Sequence, residues 1–420
     1  MSGGSLGAKV LSRSPRLDIL DEDGAVQFAM EHNPELLRMR QNTEWADGEA
    51  KQRRSFLLPQ LILESDVAGE QSRFPAAIER NLNSMGINLY VQQNLINRAA
   101  RLRYESAKYQ REATLRMERA AENQIAFLVR RQFIQVRQLD RTALAYRQRL
   151  REMEALLESV NEQVNRNVTS RQQRAELQNR IALRQAELEI LERQRDVGRL
   201  EVLNLIGAPS GHSPRMIEAL RTPFQAPVAS RDGLVSAAVE GRPEIAAFEL
   251  AVRAENEAAR AVRAEFMPRV VLSSGLSSVV PFEEGDQASE LVGGAAIRWT
   301  PMDSGSRKAR NQQVNARIEQ ARIDLEDAKR TIAIEIDNVL VTAERAATRL
   351  QLTHEQHNAA TEAFELYSES YQSGLDPLNR LVIALDALIE SDVAVASAQA
   401  DAEQANAAMQ RALGRSAYPK

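Results

Sequence analysis

Three groups of residues have types and spacings that could do chemistry. Asp303-Ser304-Gly305 is the triplet that supplies one carboxylate of an aspartic-protease dyad, in which two acids share a proton. A dyad needs a second such triplet, and the corresponding place in the first half of the chain holds Asn94-Leu95-Ile96. The triplet is therefore read as a strand-to-helix turn, with Asp or Ser capping a helix at Asn311 and beyond. His354 and His357, three apart on a helix, could share a metal ion. The chain has four histidines and no cysteine, and His357 falls on an apolar helical seam, where a single polar residue is tolerated. Arg130-Arg131 and the run Arg147 to Arg151 could make a basic patch, but interleaved Glu and Gln read as a solvated helix face. A net charge of -4 leaves no nucleic-acid footprint. No glycine-rich loop precedes a helix and no nucleophile stands beside a base. The residues describe a protein that is not an enzyme, with no catalytic group, no cofactor and no metal.

Composition points to long helices. Aromatic residues make up 5% and charged residues 27%, too few large rings for a thick globular core. No run approaches the 18 apolar residues of a membrane-spanning helix. Residues 1–16 carry no apolar h-region and read as a tail, so an exported form would owe its export to a signal peptide absent from this sequence.

The elements that carry these residues are written twice. Asp23-Gly24 returns as Asp232-Gly233, Pro34-Glu35 as Pro243-Glu244, Leu58-Pro59 as Met267-Pro268, and Arg98 and Arg101 as Arg307 and Arg310, all 209 residues on. Val164 then corresponds to Tyr371, Asn167 to Gly374, and Ile206-Gly207 to Leu413-Gly414, all 207 residues on. So constant an offset means that one structural unit was duplicated and fused. The expected repeats are 17–207 and 232–414, joined by a proline-rich linker at 208–231, with a second tail at 415–420.

Each repeat reads as helix, strand, strand, very long helix, turn, helix. A helix opening at Pro34 runs to about Leu57 and is stopped by Pro59. Strands are expected over about 60–70 and 86–95, and again over about 269–280 and 291–300. Leu61, Leu63 and Val67 alternate with Glu64 and Asp66, and Ile87, Leu89 and Val91 with Asn88, Tyr90 and Gln92. Val270, Leu272 and Leu276 repeat the first phase, whereas Ala295, Ile297 and Trp299 suggest a slip of one residue in the last strand. Between Asn97 and Arg166 there is neither proline nor glycine. Leu139, Ala143, Tyr146, Leu150, Met153, Leu157, Val160 and Val164 recur at alternating spacings of four and three, a coiled-coil seam. Leu350, Thr353, His357, Ala360, Phe364, Tyr367 and Tyr371 keep the same phase in the second half. Some 70 residues of helix make a rod of roughly 100 Å, suited to crossing a distance. Turns at Asn165 to Ser170 and Ser373 to Pro377 send the chain back.

Four amphipathic strands per chain cannot close a barrel, and their open edges invite pairing. Three chains would give twelve strands, with apolar residues outside and Glu64, Asp66 and Gln92 inside; about ten residues per strand suits a tilted bilayer span. The expected fold is mainly α with a small β part: a homotrimeric twelve-stranded β-barrel continued by a long α-helical coiled-coil barrel.

Several short stretches carry a resemblance. Asn33-Pro34-Glu35-Leu36 and Arg242-Pro243-Glu244-Ile245 open the repeats, and Leu57-Leu58-Pro59-Gln60 and Phe266-Met267-Pro268-Arg269 precede the strands. Trp299-Thr300-Pro301-Met302-Asp303-Ser304-Gly305 leads into a long helix, Tyr371-Gln372-Ser373-Gly374-Leu375 makes a turn, and Leu205-Ile206-Gly207 and Ala412-Leu413-Gly414 close the repeats. In order and spacing they resemble the outer-membrane efflux protein family, the TolC-like exit ducts of tripartite pumps and type I secretion systems. The resemblance covers about residues 17–414. It implies a Gram-negative outer membrane, contact with outer-membrane lipid, a periplasmic adaptor and an inner-membrane transporter as partners. It also implies that the tips Asn167, Val168 and Thr169, and Gly374, Leu375 and Asp376, dock the adaptor.

Several family members narrow the periplasmic entrance with aspartates two turns past the tip glycine. The matching positions are Arg380 and Ile383, with Gln173 and Glu176 in the first half and Asp386 a turn later, so an aspartate ring does not carry over. Gln173, Glu176, Arg380 and Ile383 are the candidate gate. The alternative is a soluble structural coiled-coil scaffold, which explains the heptads but not two proline-bounded strand pairs at the same place in each repeat.

Overall fold

The structure, a computed structural model, describes residues 19–71, 81–167, 169–209, 215–216, 230–281 and 288–414. In chain order these form β1 (Ile19–Leu20), α1 (Glu22–His32), α2 (Pro34–Ser55), β2 (Gln60–Gln71), β3 (Asn81–Ile96), α3 (Arg98–Asn165) and α4 (Arg171–Ile206). There follow β4 (Arg215–Met216), α5 (Arg231–Gly241), α6 (Pro243–Ala264), β5 (Arg269–Pro281), β6 (Ala288–Arg298), α7 (Ser306–Gln372) and α8 (Leu378–Ala412). Helices of matching length recur in the same order. α1 and α5 have 11 residues each, α2 and α6 22 each, α3 and α7 68 and 67, and α4 and α8 36 and 35. Among the described residues no helix is long and apolar enough to cross a membrane.

Local chemistry sets the helix ends. Asn97 Oδ1 accepts from Ala100 N at 2.9 Å and starts α3. α7 begins at Ser306, earlier than the expected Asn311, because Asp303 Oδ2 accepts from Arg307 N at 2.8 Å after left-handed Ser304 and Gly305. The short helices α1 and α5 were not anticipated. Asp21 caps the first through Gly24 N, and Ser230 caps the second through Gly233 N. The stretch expected as linker, 208–231, supplies β4, which pairs in parallel with β1, and its last residue opens α5.

The chain divides into two compact units, each assembled from separate stretches. One takes 1–38, 120–242 and 331–420, and its described elements are helices but for β1 and β4. Its core contains the seam read from the heptads. Leu150, Met153 and Val160 of α3 are buried with Leu177 and Ile181 of α4 and with Leu378, Val382, Leu385 and Ile389 of α8; Tyr146, Leu157, Val164, Phe364 and Tyr371 pack around them. A second cluster sets Ala25, Val26 and Ala29 of α1 against Ile125, Val129 and Phe133 of α3 and Val202 and Ile206 of α4. Each such Leu, Ile or Phe contributes about 1.5–3 kcal/mol by leaving water. Small residues line α8, where Ala398, Ala400, Ala402 and Ala405 are all but fully buried.

The other unit takes 39–119 and 243–330. Its sheet has the order β2-β3-β5-β6, antiparallel throughout. β3 starts at Asn81, five residues before the expected 86, because backbone pairing with β2 continues to Gln71↔Asn81 whatever the side chains. β6 covers 288–298 instead of 291–300. It ends before Trp299, whose Nε1 donates to Phe266 O at 3.0 Å, and Pro301 has no N–H to extend the ladder. An irregularity between Asn94 and Ile96 shifts the β3–β5 register there. Odd positions of β6 oppose even positions of β5, so Ala295 faces Leu272 and Ile297 faces Val270.

Candidate functional site

The sheet presents two faces of opposite character. Leu63, Leu89, Leu276 and Leu291 are register partners in one row across all four strands. They are 69%, 40%, 56% and 77% exposed, an arrangement that water disfavours. Leu61, Ile87, Val91, Leu272 and Ile297 extend the same exposed apolar face. The next row, Glu64, Asn88, Ser277 and Glu290, points the other way and is polar throughout. Ser277 Oγ donates to Asn88 Oδ1 at 2.7 Å. Glu64 and Gln92 thus share the polar face; Asp66, paired with Gly86, takes the same parity, and its side chain lies outside the described part. On that face Tyr90 lies opposite Gly275, where a Cβ would stand 2.4 Å from Tyr90 Cβ, so only glycine fits.

The two turns of the helical unit are built alike. α3 ends at Asn165, and Asn167 takes φ 58°; α7 ends at Gln372, and Gly374 takes φ 74°. The first turn stays closed through Thr169 Oγ1, which donates to Gln163 Oε1 at 2.7 Å, and through Ser170, which caps α4. The second is closed by Gly374 N to Tyr371 O at 3.0 Å and Leu375 N to Ser370 O at 2.9 Å. Leu375 is 81% exposed, and Asp376 Oδ1 accepts from Arg380 Nη1 at 2.9 Å. Val168 lies outside the described residues.

The candidate gate residues sit in the first two turns of α4 and α8, each engaged close by or open to solvent. Gln173 N donates to Ser170 Oγ, Glu176 accepts from Gln172 at 3.3 Å, Arg380 pairs with Asp376, and Ile383 is exposed. Asp386, a turn further, is held by Arg180 and by Arg184 at 2.9 Å, joining α4 to α8.

The arginine-rich stretches are the expected solvated face only in part: Arg131, Arg147 and Arg151 are exposed, whereas Arg130 and Arg149 are not. Arg130 is mostly buried and reaches Glu22 at 3.5 Å and Asp23 at 3.3 Å. Arg149 Nε donates to Asp392 Oδ2 at 2.8 Å, and Arg147 pairs with Glu192. Arg137, also buried, joins Glu22 of α1 to Glu403 of α8, and Glu335 receives both Arg242 and Arg411. These guanidiniums clamp helix to helix, and heptad reading gave no sign of them because most partners lie far off in sequence. His357 Nδ1 lies 3.2 Å from Ser391 Oγ and 3.3 Å from Asp392 Oδ1, a helix-to-helix contact, while His354 is exposed. Asp303 is a helix cap and an ion pair for Arg307, not half of a dyad; burial pushes its carboxyl up, and the Arg307 hydrogen bonds more than reverse this and hold it low.

Residues 234–415 match the family described as outer membrane efflux protein. The outer membrane protein OprJ of Pseudomonas aeruginosa is 28% identical over 207 residues, 46% of this chain and 42% of that protein, so the match spans less than half of the relative. Among solved structures, a membrane protein from Pseudomonas aeruginosa superposes with a TM-score of 0.79 at 20% identity, covering 94% of this chain and 90% of that one. The outer membrane protein VceC of Vibrio cholerae gives 0.77 at 18% identity over 94% and 96%. Residues 234–415 are thus similar to the outer membrane efflux protein family, and the chain has the fold of these solved outer-membrane proteins.

Proposed function

We propose that this chain is one of three identical subunits of an outer-membrane exit duct, a duplicated unit whose sheets close into a twelve-stranded barrel. The row Leu63, Leu89, Leu276, Leu291 carries the reading. It is an apolar band backed by a polar one, with both sheet edges, β2 and β6, unpaired among the described residues. Bilayer chains on one side and a water-filled lumen on the other satisfy both faces, and closure satisfies the edges. Glu64, Asp66 and Gln92 then line the lumen. The turns around Asn167 and Gly374 are the periplasmic ends that dock an adaptor, which links the duct to an inner-membrane transporter; Gln173, Glu176, Arg380 and Ile383 form the entrance. The domain match, together with the fold of solved outer-membrane channels, supports this reading. A soluble coiled-coil scaffold would leave the leucine row in water.

The test is mass measurement in mild detergent followed by planar-bilayer recording. A stable trimer with discrete conductance is expected; a monomer that remains soluble without detergent would overturn the duct. At the entrance, Arg380→Ala should raise conductance, and an unaltered value would remove Arg380 from the gate.

A further inference from the structure

Arg269 and Arg298 stand directly opposite each other in β5 and β6. Like charges so placed repel, and a sheet keeps such a pair at a cost unless something negative lies between them. Both sit on the parity of the sheet's polar face. Arg98, the first residue of α3, lines the same cleft, whose volume of about 310 Å3 is in the range of small-ligand sites. Six arginines and two carboxylates line that cleft, in a chain whose net charge is -4. The two carboxylates are already taken. Glu265 pairs with Arg103 and Arg310, and Asp303 with Arg307 at 2.8 Å. Arg307 also lies over the Phe266 ring at 4.2 Å, which fixes it in place. Among the described residues, no ion pair or hydrogen bond engages the guanidiniums of Arg98, Arg269 and Arg298.

We infer that Arg98, Arg269 and Arg298 form a binding site for a phosphate-type oxyanion. Guanidinium forks match the tetrahedral oxygens of phosphate two at a time, and the start of α3 adds a favourable dipole. An anion between Arg269 and Arg298 turns the repulsion across the strands into two attractions. The phosphate could belong to a solute or to a lipid headgroup. Placement on the polar face favours the solute, a phosphorylated or otherwise polyanionic compound in the aqueous path. That assignment of source rests on the exit-duct reading; the site itself does not.

The experiment uses the purified full chain with inorganic pyrophosphate as probe, by titration calorimetry at low salt, with circular dichroism to check each fold. Saturable binding is expected, weakened about tenfold for each of Arg98→Gln, Arg269→Gln and Arg298→Gln and unchanged in Arg322→Gln. Without pyrophosphate, Arg298→Gln should raise the melting temperature because the repulsion is gone; with it, only the parent should gain. Absent binding, or equal binding by all variants, would overturn the site. Binding to phosphatidylglycerol vesicles but not to pyrophosphate would overturn the assignment to a solute. Reversal potentials in a salt gradient keep the two readings apart. Conductance without pyrophosphate binding sinks the site and leaves the duct; binding without conductance does the reverse.

Discussion

Tyr371 donates its hydroxyl proton to the side-chain carbonyl of Gln163 at 3.0 Å, and Thr169 donates to the same oxygen at 2.7 Å. One side chain near the end of α3 therefore holds its own turn and the end of α7 together. Gln163→Ala should cost about 1–2 kcal/mol, roughly two neutral hydrogen bonds. Tyr371→Phe should cost about half as much, and the double variant less than the sum. Thermal unfolding of the four variants in a cycle checks this; strict additivity would mean that the bond carries no coupling.

Left-handed backbone at both turns makes unequal demands. Gly374 at φ 74° has no neighbour within 4 Å of an added Cβ, so the penalty of a side chain there comes from the backbone alone. Gly374→Val should cost about 1–2 kcal/mol and reduce export at normal trimer abundance. Asn167→Gly, at φ 58°, should change stability by only a few tenths of a kcal/mol. Export assayed beside membrane abundance decides it, and full export by Gly374→Val with Leu375→Ala would place docking elsewhere.

Two aspartates near the start of α8 differ in what depends on them. Asp386 is mostly buried and serves Arg180 and Arg184, whereas Asp376 pairs with the exposed Arg380. Asp386→Asn should destabilise by about 1–3 kcal/mol, and Asp376→Asn by less than about 1 kcal/mol. Chemical denaturation of both proteins tests the ranking, and equal midpoints would contradict it.

The leucine row gives a depth-dependent expectation. Leu63→Arg should cost about 2–4 kcal/mol in a bilayer and Gln92→Arg far less, since they occupy opposite faces. Refolding into lipid vesicles under denaturant measures both. Equal costs would show that the faces are wrongly assigned.

Acid should loosen α5 before the rest of the helical unit. The hydrogen bond from Arg231 holds the Asp337 carboxyl below its ordinary value of 3.8. A lowered carboxylate contributes stability above the unfolded value, and that contribution disappears as pH falls through the folded one. Hydrogen exchange in α5 should therefore rise below about pH 4. In Asp337→Asn it should be raised at all pH values and lose that dependence.

The seam and the strands were legible because similar patterns stand in both halves of the sequence. Leu150 and His357 share a phase, and Leu63 and Leu272 each begin a readable alternation. What escaped has physical reasons. Asn81 to Ser84 are paired with β2 along the backbone, and Asn and Ser are types that do not signal a strand. Asp21 and Ser230 as caps were visible signals for α1 and α5, three residues before Gly24 and Gly233. The clamp between Arg137 and Glu403 spans 266 residues, beyond any local rule. Arg269 and Arg298 are unremarkable charges until the register sets them face to face.

The two rims of the sheet are not interchangeable: β2 ends one side and β6 the other. A ring assembled from such chains joins head to tail, so each copy both offers a rim and accepts one. A proline within β2 that blocks its outward pairing would leave that copy's β6 competent. The damaged copy would still be recruited, and the ring would stay open at one seam. Co-expressed with the normal protein, it should act as a poison, depressing export more steeply than its share of the subunits; export in simple proportion to dose would show that rings sort out defective members before they close.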